Sequence, residues 1–260
     1  MKIFDKILKA FTILILIFMY LPIVTMIGFS FNSSKSLGRF TGFSLRWYYQ
    51  LFENRVIWTA FYNSLTAAAV VTIISVVLAL LIANAVVRYE YRGGSLIDAF
   101  IYIPIVIPEI TESLSLLILF GVAGITRGFW TVVLGHATFG ATFAIVVLRA
   151  RIAGFRKSVE EAARTLGANE IQTFFRITLP ILMPGVIAAA LLAFTLSFDD
   201  FIKTRFSTGP GFTTLPLIIY SSARRGGVAP DINALSTFSF GVSLLFSAVR
   251  LFTLRRGRYE

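Results

Sequence analysis

Residues Glu161 to Pro180 read EAARTLGANEIQTFFRITLP. The stretch is polar and helix-forming, yet it lies between two long apolar runs. A chain embedded in lipid has little use for such an insert unless something soluble docks on it. Local signals divide it into two short helices. Ser158 and Glu161 have the spacing of a capping box, in which each side chain satisfies a backbone donor of the other. Val159, Ala162, Ala163 and Leu166 follow at i, i+3, i+4 and i+7 and make one apolar stripe. Gly167 stands where glycine ends a helix at C′. Asn169 and Gln172 repeat the cap pattern, and Ile171, Phe174, Phe175 and Leu179 make a second stripe. Arg164 and Arg176 fall toward the C-terminal ends, where a cation favours the helix dipole. Pro180 and Pro184 are expected to separate the insert from the apolar run that follows. The residues alone leave two readings open. One is a hairpin packed on its own protein or on the membrane. The other is a helix-in-groove docking element, whose small Ala162 and Ala163 surface permits close approach.

The rest of the chain explains why the insert stands out. Of 260 residues, 57% are hydrophobic and 26 are Phe, and the mean hydropathy is +0.81. Soluble domains are nearer ~45–50% apolar, so this is an all-α integral membrane protein forming a single domain over 1–260. There is no Cys, which excludes disulfides, Fe–S clusters and thiolate metal sites. The one histidine, His136, cannot anchor a His-based metal centre alone and is expected to bond a neighbouring helix. No metal site is expected. The net charge of +11 fits a basic cytoplasmic face better than nucleic acid binding.

Six apolar segments are long enough for a bilayer core that needs ~20 helical residues: roughly 10–31, 60–87, 96–120, 129–149, 181–203 and 232–252. The first follows Lys2, Lys6 and Lys9, is too long for a signal-peptide core, and reads as an uncleaved span starting in the cytoplasm. With both termini inside, the inner segments hold 15 Lys and Arg and the outer segments nine, the sign the positive-inside rule requires. The insert, as a loop over 150–180, is then cytoplasmic. Two outer segments, 32–59 and 204–231, carry Trp47, Tyr48, Tyr49, Trp58 and Tyr220, which read as interfacial anchors or as an external docking surface.

Four acids fall inside apolar segments: Glu109 and Glu112 in the third, Asp199 and Asp200 in the fifth. A central acid costs ~3 kcal/mol on insertion scales, so these should face the protein interior, a water-filled path or a membrane boundary. Glu109 and Glu112, at i and i+3, can share a helix face, and no Lys or Arg between 97 and 126 neutralises them locally. An acidic, partly aromatic path suits a flexible polycation. Structural readings stay open beside it. Pro108 followed by Glu109 and Glu112 is also how a helix restarts after a break, and Asp199 or Asp200 can pair with Lys203, with Arg205 or with a partner subunit.

One resemblance joins these features. Glu161-Ala162-Ala163, then Gly167, then nine residues and Ile177-x-Leu179-Pro180, placed after the fourth of six spans, resembles the EAA loop of ABC-importer permeases. Within that family several blocks look most like the spermidine/putrescine permeases, in particular the second of their two membrane subunits. They include Ile107-Pro108-Glu109-Ile110, Phe194-Thr195-Leu196-Ser197-Phe198-Asp199-Asp200, Thr214-Leu215-Pro216-Leu217 and Ile232-Asn233-Ala234-Leu235-Ser236-Thr237. The resemblance extends over essentially the whole chain, including Asn63-Ser64-Leu65. It implies a type I ABC-importer permease fold (MetI-like) with six transmembrane helices. In the family the loop is the coupling helix, which here implies an ATPase-docking role for Glu161, Ala162, Ala163, Leu166, Gly167, Ala168, Phe174, Ile177, Leu179 and Pro180. The implied partners are an ABC ATPase dimer that binds ATP and Mg, a second permease chain, a periplasmic or extracellular substrate-binding protein and a polyamine, in the inner membrane of a prokaryote. The chain itself has no P-loop and is expected to catalyse no bond chemistry and to hold no cofactor. Other solutes (an opine, an amino-acid derivative, an organophosphonate) remain open, as, further off, does an ion-coupled secondary transporter.

Overall fold

A computed structural model describes residues 2–35, 39–88, 93–226 and 230–256. Its described residues are almost wholly helical and fall into two compact units, Met1–Trp58 with Ile218–Val242, and Thr59–Leu217 with Ser243–Glu260.

The first unit opens with α1 (Lys2–Ser30). From Ala10 on this helix is apolar all round, and its surface is exposed over residues 4–22, a pattern at home in lipid. Its threonine hydroxyls are satisfied within the helix: Thr12 Oγ1 donates to the Leu8 carbonyl at 2.8 Å and Thr25 Oγ1 to that of Leu21 at 2.7 Å, as a medium without water demands. Beyond α1 the buried Asn32 organises the chain. Its Oδ1 accepts from the Thr41 amide at 2.9 Å, its Nδ2 donates to the Arg39 carbonyl at 3.0 Å, and its own carbonyl accepts from Trp47 Nε1 at 2.6 Å. Trp47, on α2 (Arg46–Glu53), is therefore a buried structural ring and not an interfacial anchor. Asn54 then caps α3 (Arg55–Arg88), its Oδ1 accepting from the Val56 amide at 3.0 Å.

The second unit contains most of α3, then α4 (Gly94–Val106), α5 (Glu109–Val122), α6 (Phe129–Ala153), α7 (Lys157–Thr165), α8 (Glu170–Thr173), a π-helical turn (Phe174–Thr178), α9 (Leu179–Phe198) and α10 (Ile202–Ser207). Two further helices, α11 (Leu215–Gly226) and α12 (Pro230–Arg256), contribute to both units. Its core is built from Ala79, Ala83, Ala144, Leu148, Leu182 and Ala189 among others. Small residues let membrane helices approach closely where no hydrophobic effect drives them together. Gly140 of α6 shows the tolerance: an added Cβ would lie 2.8 Å from Ser75 Oγ of α3. Polar ties missed in the sequence add to this packing. Arg149 holds Asp98 through both guanidinium ends, at 2.7 and 3.1 Å. Asn63 Nδ2 donates to the Thr213 carbonyl at 2.8 Å, and Ser64 Oγ accepts from the Leu215 amide at 2.9 Å.

Among the described residues, four helical segments are long and apolar enough to cross a bilayer: Phe4–Ser30, Arg55–Arg88, Phe129–Ala153 and Glu170–Phe198. They cover the expected first, second, fourth and fifth spans, and α12 covers the sixth segment, with its side chains from 246 on outside the described residues. Three expectations need correction. The third segment is not one straight span: α4 and α5 meet at 102°, because Ile107 and Pro108 are extended (ψ 133° and 129°) and the helix restarts at Glu109. The fifth ends at Phe198, not at 203, so Asp199 and Asp200 occupy a break before α10. Nor do Pro180 and Pro184 detach the insert. Helix runs without interruption from Glu170 to Phe198. The π turn absorbs the missing Pro180 donor by shifting the ladder, with the Leu179 amide bonding the Phe174 carbonyl five residues back.

Candidate functional site

The insert is held by one buried carboxylate. Arg88, in the last turn of α3, pairs with Glu160 of α7 through both guanidinium ends, the Nη2–Oε1 bond measuring 2.5 Å. Thr178 of the π turn also donates to Glu160. These bonds, Arg88 first, hold the Glu160 carboxyl below its ordinary value against the opposing pull of burial. The expected capping box is absent: α7 starts at Lys157, Ser158 is already inside it, and Arg156 at the N-cap makes no side-chain cap. Seating Glu160 on Arg88 sets the rotation of α7, and a bidentate charged pair outweighs an exposed cap. Glu161 consequently faces outward.

The turn after α7 forms as the sequence anticipates. Gly167 has φ +91°. Its amide donates to the Arg164 carbonyl at 3.0 Å and that of Ala168 to the Ala163 carbonyl at 3.1 Å, the two bonds of a Schellman end. The Asn169–Gln172 box is present, with reciprocal bonds of 2.8 and 3.1 Å. Of the two expected stripes, Ala163 is buried and Phe174 and Leu179 are half-buried, as is Ile177 beside them. Leu166, Ile171 and Phe175 stand 89%, 71% and 61% exposed. Beside them a cavity of about 270 Å³ opens between α3 and the insert, lined by Arg88, Glu160, Ile171, Phe174 and Phe175 among others. A helix end with three bare apolar side chains beside a concave pocket suits a protein partner.

The four acids have unequal surroundings. Glu112 is paired with the buried Lys203, accepts from Thr138 Oγ1 at 2.8 Å, and lies beside Phe139, whose ring centroid is 4.4 Å from the Lys203 ammonium. The neutralising cation for the glutamates thus comes from beyond the fifth span, and it is Glu112, not Asp199 or Asp200, that Lys203 takes. Asp200 serves the fold: its Oδ1 accepts from the Thr204 amide at 2.8 Å and lies 3.2 Å from His136 Nε2. The His136 ring also bonds Ser197 through Nδ1 at 2.8 Å and Thr204 through Nε2 at 2.9 Å, joining α6 to α9 and α10. Asp199 is different. It is exposed, takes only the Ser243 hydroxyl at 2.8 and 2.9 Å, and makes no ion pair among the described residues. Sequence reasoning missed Arg88 and Glu160 and the roles of Thr138 and Phe139, and it offered Lys203 to the aspartates instead of Glu112, because the partners are distant in sequence. Only the rarity of a Lys beside intramembrane acids marks one of them.

Residues 75–256 match the family described as binding-protein-dependent transport system inner membrane component. The chain belongs to this family. It is 38% identical to the putrescine transport system permease protein PotI of Escherichia coli over 94% of this chain and 89% of that one. It is 38% identical to the spermidine/putrescine transport system permease protein PotC of the same organism over 88% and 86%, and 34% to that of Haemophilus influenzae over 96% and 97%. Among solved structures, a bacterial ABC transporter that imports the acidic polysaccharide alginate superposes with a TM-score of 0.70 at 18% identity, covering 99% of this chain and 95% of that one. The same kind of transporter, in complex with a pentasaccharide-bound periplasmic protein, gives 0.73 at 19% identity, covering 99% and 94%. The permease thus has the fold of ABC-importer membrane subunits and is a multi-pass membrane protein of a transport system, not an enzyme.

Proposed function

We propose that the permease moves polyamines, putrescine and spermidine among them, across the cytoplasmic membrane as one half of an ABC importer. The observation that carries this is the identity of more than a third with permeases named for those solutes, extending over nearly the full length of both chains. The chemistry agrees: an exposed carboxylate, Asp199, stands at the break between α9 and α10, and Glu112 is tied to Lys203 just beyond that break in the same unit. Glu109, Glu112 and Asp199 make up the proposed path, with Asp199 the exposed member that can meet a passing ammonium, while Asp200 supports the break from behind through His136 and Thr204. In this reading the chain crosses the membrane six times with both termini inside, and α4–α5 make one bent crossing. The coupling surface is the insert, with Glu161, Ala162, Leu166, Gly167, Ala168 and Phe175 outward and Ala163, Phe174, Ile177, Leu179 and Pro180 supporting them. An ABC ATPase dimer docks there, a second permease completes the path, and a binding protein delivers cargo outside. ATP and Mg belong to the ATPase.

The test is uptake of labelled putrescine and spermidine by vesicles containing the permease, its partner permease, the ATPase and the binding protein. ATP-dependent uptake that is lost without the binding protein is expected. An assembled, ATP-hydrolysing complex that imports neither polyamine sinks the substrate assignment. Leu166→Asp with Phe175→Ser is expected to abolish co-purification of the ATPase, and unchanged co-purification would remove the docking surface.

A further inference from the structure

Lys203 is the least expected side chain of the second unit. It follows the Asp199–Phe201 break, is only 1% exposed, and ends in an ammonium held by Glu112 and lying over Phe139. Thr138 Oγ1 fixes the other carboxylate oxygen of Glu112 at 2.8 Å. A carboxylate on one side, an aromatic face on another and a hydroxyl to orient the acid are what a primary alkylammonium needs in order to leave water. The Lys203 side chain is itself a butylammonium arm. It therefore reports directly on what this cage accepts.

We infer that the Glu112–Thr138–Phe139 cage is an alkylammonium subsite of the transport path, and that Lys203 is a tethered stand-in that fills it until a substrate ammonium displaces it. The inference rests on the polyamine reading above and names where one end of the molecule goes. A stand-in has two consequences for a buried acid. It keeps Glu112 from standing unpaired inside the membrane when the path is empty, a state that is strongly unfavourable. It also sets a threshold for entry. A tethered group competes at an effective concentration on the order of millimolar. A monoamine at micromolar concentration does not displace it. A polyamine does, because its other ammonium groups engage Asp199 at the same time and the exchange at Glu112 becomes intramolecular. Lys203 thereby discriminates polyamines from monoamines without touching either for long.

The experiment uses the assembled transporter. Thermal unfolding is measured for the wild type, Lys203→Ala and Lys203→Ala with Glu112→Gln, each with n-butylammonium and with n-butanol. The single variant is expected to rise in melting temperature with n-butylammonium alone, while the wild type and the double variant stay unmoved. A single variant that ignores n-butylammonium overturns the cage. Should Lys203→Ala fail to assemble, the wild type decides. Labelling of Lys203 by an amine-reactive reagent, read by mass spectrometry, is compared during ATP turnover with spermidine-loaded and with empty binding protein. Several-fold faster labelling with spermidine is expected. A purely structural ion pair gives equal rates and overturns the displacement. Spermidine uptake by the same vesicles separates the two ideas. Uptake with equal labelling rates refutes the stand-in and leaves the substrate reading intact. Absence of polyamine uptake refutes that reading, and the n-butylammonium arm then decides the cage on its own.

Discussion

Arg88 and Glu160 are 72 positions apart in the chain, and their pairing fixes how the insert is presented. Removing the arginine leaves a buried carboxylate whose remaining bond is from Thr178. Arg88→Ala is therefore expected to cost about 3 kcal/mol, and Glu160→Gln less, since the amide keeps a neutral acceptor. Thermal unfolding of the purified permease measures both. The pH dependence has a definite sign. The Glu160 carboxyl sits below 4.5 in the folded protein, so its contribution is complete above that value and is lost as pH falls through the depressed one. The wild type should lose melting temperature on acidification below about pH 4.5, and the gap to Glu160→Gln should narrow there. A gap independent of pH would show that the charge on Glu160 is not what matters. The neighbouring aspartates diverge in the same way. Asp199→Asn is expected to leave assembly intact and lower polyamine uptake by about tenfold, the equivalent of one lost charged contact of ~1.5 kcal/mol. Asp200→Asn disturbs the bonds to His136 and Thr204 and is expected to lower the yield of folded protein first. Wild-type uptake by Asp199→Asn would remove that residue from the path. Both acids were visible in the sequence as costly residues inside an apolar run. Their different roles were not, because these depend on His136, Thr204 and Ser243, which no local pattern connects to them.

At the scale of elements, turn chemistry was the most legible and proline the least. Gly167 and the Asn169–Gln172 box could be read from residue types because the bonds they make are local. Gly167→Pro cannot take φ +91°, so the two limbs of the insert should lose their mutual angle. Co-purification of the ATPase and ATP-driven uptake are both expected to fall, and normal values for both would clear the turn of any role in coupling. Pro180 misled because the rule that proline stops a helix assumes an α ladder. The π turn before it supplies a different one, and only the three-dimensional path of the backbone shows that. The Ser158 cap failed for a related reason: a long-range ion pair outcompeted a local bond. Packing between elements has its own test. Gly140→Leu would drive several methyl-sized groups into Ser75 and Val71, at a cost of about 1–3 kcal/mol. Gly209 leaves less room still, since its added Cβ would lie 2.2 Å from the Arg127 carbonyl oxygen. Gly209→Ala is expected to reduce the amount of folded permease in membranes more than Gly140→Ala does, and equal yields would refute the ranking.

For the molecule as a whole, the apolar segments announced the membrane class and where four long helices lie among the described residues, because lipid enforces continuous runs of suitable length. The right-angle bend at Ile107-Pro108 was signalled only as a possible helix restart. One feature links the two functional regions at this scale. Helix is continuous from Glu170, in the insert, to Phe198, one residue short of Asp199. Its 29 residues make a rod about 43 Å long at 1.5 Å per residue. If such a rod pivots near its middle by about 10°, each end travels about 4 Å, more than enough to make or break a hydrogen bond. The permease then needs no relay of small rearrangements between the ATPase and the acids. On the proposed docking surface, a push on Ile171 or Phe175 would be felt at Asp199 as the far arm of a lever, and the stiffness of one helix would set how much of the stroke arrives.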